Sequence, residues 1–302
     1  MPDNKLHLDL TKKVPNLTIS PWMIPIFQVL MRFMTPKGSM PDSVETSIIH
    51  LDGIEMRLHT PKDKEYSSML LWIHGGGLII GDPSQDDTKC AKFVEEMGVA
   101  VIAIRYRLAP KYPFPAAIDD CYAVWCAVQK HAPDMGIDPN RIAIGGASAG
   151  GGLAANLALR IRDDGGIQPA AQLLVYPMLD DRTTLRTDVG LKEHMVWNNK
   201  SNTTGWGSYL GKLRGADEVP PYAVAARHTD LQSLPPTWIG IGTLDLFFDE
   251  NVEYYNRLKE AGVSIEFEQI EGAYHGFDGM DPEATISKAF DSKMVEFLRP
   301  LM

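Results

Sequence analysis

Residues 141–159 read RIAIGGASAGGGLAANLAL, and the rest of the chain can be interpreted around them. This segment predicts a short buried strand, a sharp corner at Ser148 and a helix of small residues. Gly146 and Gly150 flank the serine at the G-x-S-x-G spacing, because so tight a turn leaves no room for Cβ atoms. The following helix would direct unpaired backbone N–H groups and a positive dipole at an oxygen beside Ser148. The predicted geometry suits acyl transfer with Ser148 as the nucleophile.

Composition and charge limit the classes of partner. A chain of 302 residues that is 44% hydrophobic can bury a full core, and we expect one domain with an appendage. The net charge of -10 has the wrong sign for nucleic acid or an anionic membrane surface. The apolar run at 21–34 is too short to span a bilayer and is not followed by a signal-peptide cleavage site.

The cysteines indicate neither a disulfide framework nor a zinc site. Cys90, Cys121 and Cys126 are an odd number and lack C-x-x-C spacing. Reduced thiols are typical of a cytoplasmic protein, which is the location we expect.

Apolar runs alternate with helical patterns from residue 69 onward, which is typical of βαβ repetition. The strands are continuously apolar, so we expect a mostly parallel sheet covered by helices on both faces. A hairpin around Asp52-Gly53 supplies two antiparallel strands within 44–59. The other predicted strands are 69–73, 99–104, 141–144, 171–176, 237–242 and 264–270. Besides the helix after Ser148, helices are predicted at 88–97, 115–130, 249–261 and 282–298.

Two segments do not fit this alternation. Residues 22–34 predict one or two apolar helices broken by Pro25, and such a segment needs a surface to pack against. Residues 181–234 are polar and contain tryptophans, and we interpret them as an insertion over the carboxyl edge of the sheet.

A corner serine needs a base, and His275 is the best placed of the histidines. In a catalytic triad of serine, acid and histidine on a sheet of this kind, the acid and then the histidine follow the serine in the chain, and both lie on loops after strands. His275 follows the last predicted strand, and Gly276 would let its loop bend back over Ser148. His194 and His228 also follow Ser148, but they lie in the predicted insertion. The remaining histidines are His7, His50, His59, His74 and His131.

The acid should follow the preceding strand, where Asp245 ends an apolar run. It would accept the Nδ1 proton of His275 and stabilise the imidazolium while Nε2 takes the Ser148 proton. Asp249 and Glu250 are the alternatives, because acids in the first turn of a helix commonly complement its dipole.

A second motif, HGGG at 74–77, comes directly after the first parallel strand. Consecutive glycines let backbone N–H groups turn into a cavity, so Gly75, Gly76 and Ala149 would form the oxyanion hole. A plain turn or a phosphate-binding loop is the alternative, although G-x-G-x-x-G and P-loop spacings are absent. We interpret His74 as a structural anchor of the loop.

These motifs resemble the hormone-sensitive-lipase-like branch of the α/β-hydrolases, the H-G-G-G bacterial carboxylesterases, across nearly the whole chain. The resemblance rests on HGGG at 74–77, YRLAP at 106–110, PFPAA at 113–117 with Asp119 and Asp120, the Ser148 segment, YPMLDD at 176–181, Asp245 and HGF at 275–277. It implies an α/β-hydrolase fold with a mostly parallel eight-stranded sheet and a helical cap. It also implies a serine carboxylesterase for short- to medium-chain acyl esters, with Ser148, Asp245 and His275 as the triad and with no metal or organic cofactor.

Three positions depart from the family pattern. Ala147 replaces the usual acidic residue before the serine, Arg105 stands where an aspartate commonly precedes Y-R-L-A-P, and Leu246 replaces a common proline after the acid. None of the three removes a catalytic group.

The resemblance also suggests how the chain is divided. Residues 1–41 and 181–234 would form the cap, and 42–180 and 235–302 the two parts of the α/β-hydrolase core. The apolar cap residues Trp22, Phe27, Phe33, Trp197, Trp206 and Tyr209 favour small, apolar acyl groups. The expected partner is a small-molecule ester, with a homodimer as an open alternative.

Two other functions remain open from sequence. A small-molecule receptor on the same fold would lose the triad histidine, so His275 argues against it. A lactone or amide hydrolase would use the same residues.

Overall fold

An eight-stranded sheet forms the centre of the computed structural model, which describes residues 5–12, 18–34, 40–188 and 195–302. Its spatial order is β1-β2-β4-β3-β5-β6-β7-β8. The β1/β2 and β2/β4 pairs are antiparallel and all others are parallel, which confirms the predicted sheet. The strands are β1 Val44–Leu51, β2 Ile54–Pro61, β3 Met69–Ile73, β4 Ala100–Ile104, β5 Ile142–Ala147, β6 Gln172–Val175, β7 Thr237–Gly242 and β8 Ile265–Ile270.

The helices of the described residues lie mostly between the strands. They are α1 Ile24–Met34, α2 Asp87–Met97, α3 Ala116–His131, α4 Ala149–Asp163, α5 Asn199–Leu210, α6 Phe248–Glu260, α7 Phe277–Met280 and α8 Thr285–Leu298. Helices α3 and α4 pack together, as do α2 and α8. None of these helices is both long and apolar enough to cross a membrane.

The central strands are apolar because both faces of the sheet are covered. Every residue of β3 and β4 is buried, as expected for parallel strands between two helical layers. Small residues let α4 lie close to the sheet: a Cβ on Gly150 would stand 2.6 Å from the His74 carbonyl oxygen. The core therefore fixes α4, and the corner before it, against the end of β3.

Several predicted boundaries differ from the structure by one to three residues, and two predictions about element ends have a clear physical outcome. Strand β5 continues to Ala147 rather than ending at 144, because Gly145 and Gly146 pair with β3. Pro25 does not break α1, because it lies in the first turn, where a missing backbone N–H removes no helical hydrogen bond.

The N-terminal segment contacts both the sheet edge and the predicted insertion. The side-chain amide of Gln28 in α1 donates to the carbonyl oxygens of Ile79 and Ala109, at 2.8 and 3.2 Å. The backbone N–H of Ile19 donates to Ser201 Oγ of α5 at 2.9 Å. The Gln28 contacts place α1 beside the loops that follow β3 and β4, and the Ile19 contact joins the N-terminal segment to α5. The division of the chain into cap and core remains a prediction.

Candidate active site

Ser148 lies on a corner between β5 and α4. Its φ of 56° and ψ of -119° are unusual for a residue with a side chain. The corner is held by hydrogen bonds from the Ser148 N–H to Val175 O and from the Gly152 N–H to Ser148 O. A Cβ on Gly146 would overlap both the Ile73 carbonyl and the Gly150 backbone, so the first glycine of the motif is required by packing. The Ser148 side chain is thereby raised above the carboxyl end of the sheet.

A continuous chain of hydrogen bonds joins Ser148 to His275 and Asp245. The His275 Nε2 lies 2.9 Å from Ser148 Oγ, and Nδ1 lies 2.7 Å from Asp245 Oδ2. The other Asp245 oxygen accepts the Phe247 N–H at 2.9 Å, which fixes the carboxylate. With Nδ1–H donating to Asp245, Nε2 is free to accept the Ser148 hydroxyl proton. This arrangement can generate an attacking serine oxygen.

The imidazole ring of His275 is held between two aromatic rings. Tyr176 and Phe247 contact it edge-on, with ring centroids 4.9 and 5.1 Å away. The Tyr176 hydroxyl donates to Asp278 at 2.9 Å, three residues beyond His275. Asp278 also forms an ion pair with Lys89 of α2. Burial opposes ionisation of Asp278, but the Lys89 charge holds its pKa below the usual range.

The HGGG loop lies beside the serine. A Cβ on Gly75 would stand 3.3 Å from Ser148 Cβ, so this backbone borders the nucleophile. Among the hydrogen bonds between described residues, none uses the N–H of Gly75 or Gly76 as donor. Ala149 is the first residue of α4, where N–H groups have no helical partner. Gly75 and Ala149 therefore border Ser148, and Gly76 follows Gly75 in the same loop.

The His74 side chain packs against Tyr106. Its ring stacks on Tyr106 with centroids 4.3 Å apart, and the Tyr106 hydroxyl donates to the His74 carbonyl at 3.0 Å. Burial lowers the pKa of His74 to about 4, so the ring is neutral and does not provide a cation for a phosphate. The contacts agree with an anchoring role for His74.

The alternative acids lie apart from His275. The Asp249 side chain is 61% exposed and forms an ion pair with Arg186. Glu250 is buried and accepts the backbone N–H groups of Leu179 and Asp180, at 2.7 and 3.2 Å. Burial raises the pKa of Glu250 well above its ordinary value. Glu250 thus anchors the loop after β6, a role that its helix-start position did not reveal.

The alternative histidines are also accounted for. His228 Nε2 accepts the Tyr222 N–H at 3.3 Å, and its ring stacks on Tyr222. His194 lies outside the described residues.

The positions that depart from the family pattern do not interrupt the site. Arg105 forms an ion pair with Asp82, whose side chain caps the turn beyond the HGGG loop. Ala147 and Leu246 are both buried. Among the described residues no group of three or more His, Cys, Asp or Glu side chains could hold a metal ion.

Comparisons with known proteins point to one group of enzymes. A family model described as alpha/beta hydrolase fold matches residues 70–279. Esterase LipI of Mycobacterium tuberculosis is 33% identical over 251 residues, which cover 81% of this chain and 78% of the relative. The structure of a bacterial heroin esterase has a TM-score of 0.88 and 34% identity over 98% of both chains. An esterase from the bacterial hormone-sensitive lipase family has a TM-score of 0.79 and 28% identity, over 91% of this chain and 90% of its own.

Proposed function

Because the chain belongs to the α/β-hydrolase family, in its hormone-sensitive-lipase-like branch of bacterial carboxylesterases, and is a carboxylic ester hydrolase, we propose that it hydrolyses short- to medium-chain acyl esters with Ser148 as nucleophile. His275 acts as the general base and acid, and Asp245 orients it. The observation that carries the proposal is the hydrogen-bond chain from Asp245 through His275 to Ser148.

Acylation begins when Ser148 Oγ attacks the ester carbonyl carbon as its proton moves to His275 Nε2. The new C–O bond leaves the former carbonyl oxygen negative, and the N–H groups of Gly75, Gly76 and Ala149 stabilise that charge. The intermediate then collapses, the bond to the alcohol oxygen breaks, and His275 Nε2 gives its proton to the departing alkoxide. Asp245 stabilises the imidazolium throughout and keeps its own charge.

Deacylation repeats these steps with water. His275 Nε2 takes a proton from a water molecule whose oxygen attacks the acyl-enzyme carbonyl. The second tetrahedral intermediate uses the same amides, and Nε2 returns the proton to Ser148 Oγ as the carboxylic acid is released. No metal or organic cofactor is needed for this sequence.

The confined site supports a preference for small acyl groups. Ser148 and His275 are only 6% and 5% exposed. The ring of Trp197 lies against Gly77 at the HGGG loop, so closely that a Cβ on Gly77 would overlap it. A long acyl chain would have to displace this ring. One structural relative is named a heroin esterase, so it acts on an ester of a small molecule.

The cellular location and the oligomeric state of the protein are also proposals. The three cysteines are free thiols, which favours a reducing, cytoplasmic location. A homodimer is the proposed alternative to a monomer, because α1 leaves exposed the apolar side chains of Ile26, Val29 and Leu30.

The test is Ser148→Ala assayed with p-nitrophenyl esters from acetate to dodecanoate. We expect the variant to fold normally and to lose kcat by roughly 10⁴-fold or more, because the attacking oxygen is removed. The wild type should be fastest on short and medium chains. Turnover near wild type in Ser148→Ala would contradict the serine mechanism. Faster wild-type turnover of lactones or amides than of any ester would contradict the substrate class.

A further inference from the structure

One face of α5 lies against the glycine loop that borders Ser148. Gly205 approaches that loop so closely that a Cβ there would stand 2.6 Å from the Gly77 carbonyl oxygen and 3.4 Å from Trp197 Cζ2. Asn202 and Trp206 are adjacent to Gly205 on the same buried face of the helix. Asn202 and Trp206 are therefore on the side of α5 that packs against the HGGG loop.

This face carries buried polar atoms that have no partner among the described residues. Neither Oδ1 nor Nδ2 of Asn202 has a hydrogen bond to a residue that the structure describes, although Asn202 is 0% exposed. The indole N–H groups of Trp206 and Trp197 are likewise buried and unpaired within the described part of the chain. Buried polar groups are hydrogen-bonded in most native structures, because an unpaired one weakens the fold. An amide that lacks a partner on both of its atoms indicates a place for a polar ligand.

The position of this α5 face relative to His275 indicates which part of an ester substrate would contact it. The alcohol oxygen must be within reach of His275 Nε2, which protonates it. His275 follows β8, whereas the Gly77 loop follows β3, and these strands lie on opposite sides of β5 and Ser148. The alcohol thus lies toward His275. An acyl chain that extends away from the alcohol would reach the underside of α5.

We propose that Asn202 and Trp206 form a polar subsite for the acyl chain, so that the preferred substrates carry a hydroxyl or carbonyl oxygen on the acyl group. The proposal rests on the proposed esterase function and makes its substrate class more specific. Asn202 can both donate to and accept from such an oxygen, and the Trp206 N–H can only donate. Sites built to hydrogen-bond a substrate group discriminate strongly against analogues that lack it.

The test compares esters of nearly equal shape that differ in one polar group. The first pair is p-nitrophenyl 3-hydroxybutyrate and 3-methylbutyrate, and the second is p-nitrophenyl 4-oxopentanoate and 4-methylpentanoate. In at least one pair we expect the wild type to favour the polar ester by about 10-fold in kcat/KM. Asn202→Leu should abolish that preference by slowing the polar ester more than the apolar ester, and Trp206→Phe should weaken it.

Thermal unfolding separates a ligand site from a structural role. Leucine keeps the γ-branched shape of asparagine and removes an unpaired buried amide, so Asn202→Leu should unfold at the same temperature as the wild type or higher. Thr204→Val, on the opposite face of α5, is the matched control and should change neither the preference nor the stability.

Three outcomes would overturn the inference. They are a wild type without polar preference in either pair, a preference that survives Asn202→Leu, and an Asn202→Leu protein that unfolds at a lower temperature with unchanged selectivity. The first would mean that ordered water fills the site. These outcomes differ from failure of the esterase proposal, in which neither ester of either pair would be hydrolysed or Ser148→Ala would remain active.

Discussion

At the scale of single residues, the two aspartates that compete in the sequence have opposite environments. Asp245 is buried and bonded to His275 Nδ1, whereas Asp249 is exposed and bonded to Arg186. We expect Asp245→Asn to lower kcat by about 10⁴-fold, because an amide can hold the imidazole in the wrong tautomer. Asp249→Asn is the matched control and should remain within about 2-fold of wild type, because surface ion pairs contribute little. Assays of both purified variants on p-nitrophenyl butyrate would decide, and a larger loss in Asp249→Asn would refute the assignment.

Asp86, which precedes α2, should make stability depend on pH. It accepts the Trp72 indole N–H at 2.8 Å. Burial raises the pKa of Asp86 to about 6, with Lys89 opposing the shift and Asp278 adding to it. Between pH 4 and 6 the Asp86 carboxyl group is therefore protonated in the folded protein but ionised in the unfolded chain. The contribution of Asp86 to stability therefore falls as the pH rises through this window and stays low above it.

Asp86→Asn should remove this dependence. The amide oxygen can still accept the Trp72 N–H, but it carries no charge at any pH. We expect the variant to match the wild type near pH 4 and to exceed its unfolding free energy by about 1–3 kcal/mol at pH 7. Urea unfolding of both proteins between pH 4 and 7.5 measures the difference. A variant that is less stable than the wild type at pH 7 would show that the carboxylate is instead stabilising.

The sequence was informative about residues whose chemistry requires a local backbone. Ser148 needs glycines two positions either side, and Asp245 and His275 come directly after strands, so each was identifiable without a structure. Their catalytic roles stay predictions. Glu250 and Lys89 could not be recognised, because their partners lie far away in the chain and no spacing rule connects them.

At the scale of secondary-structure elements, one lysine connects α2 to the loop that carries His275. Lys89 forms ion pairs with Asp278 of α7 and with Asp291 of α8, the latter at 3.0 Å. Asp278 in turn accepts the Tyr176 hydroxyl beneath the His275 ring. The carboxylates stabilise the charged lysine against the effect of burial and raise the pKa of Lys89. Helix α2 therefore supports the position of His275 without touching it.

Lys89→Met should destabilise the protein by about 3–5 kcal/mol, because it leaves the Asp278 carboxylate buried without its cation. Lys92→Met is the matched control: Lys92 also pairs with Asp291, but it is more exposed, so its loss should cost at most about 1 kcal/mol. Chemical unfolding at pH 7 measures both changes. Equal losses of unfolding free energy in the two variants would show that the buried Lys89–Asp278 pair stabilises the fold no more than an exposed pair does.

The ends of strands and helices were predictable where the hydrophobic pattern was strong. They differ from the prediction where strand pairing determines the end. Strands 69–73 and 237–242 match the structure, since each is a continuous apolar run. Strand β5 extends beyond its prediction because glycines lack a strand signal and yet pair with β3. Helix α1 begins before Pro25 because a proline in the first turn is tolerated.

At the scale of the whole molecule, the sequence did not reveal how segments far apart in the chain meet. The N-terminal segment contacts α5 through Ile19 and the loops after β3 and β4 through Gln28. Its early residues also reach the far end of the chain, where the His7 N–H donates to Gly272 O. Side-chain partners of this kind have no signal in periodicity. The assignment of 1–41 to a cap rests on the family resemblance and stays a prediction.

Deletion of residues 1–40 tests that assignment. In the cap assignment the segment covers the acyl site and contributes no triad residue, so its loss should raise KM and weaken discrimination among acyl lengths more than it slows proton transfer. It should also lower stability, because Leu10, Ile19 and Ile24 are buried and each contributes about 1.5–3 kcal/mol.

The measurement is acyl-length selectivity at a temperature at which the truncated protein remains folded. Labelling of Ser148 by a small organophosphate serves as the control, because it requires the triad but little binding surface. Normal labelling with weakened selectivity would support the cap. Selectivity equal to that of the full chain would place the segment's role elsewhere, and loss of labelling would mean that the segment also holds the HGGG loop through Gln28.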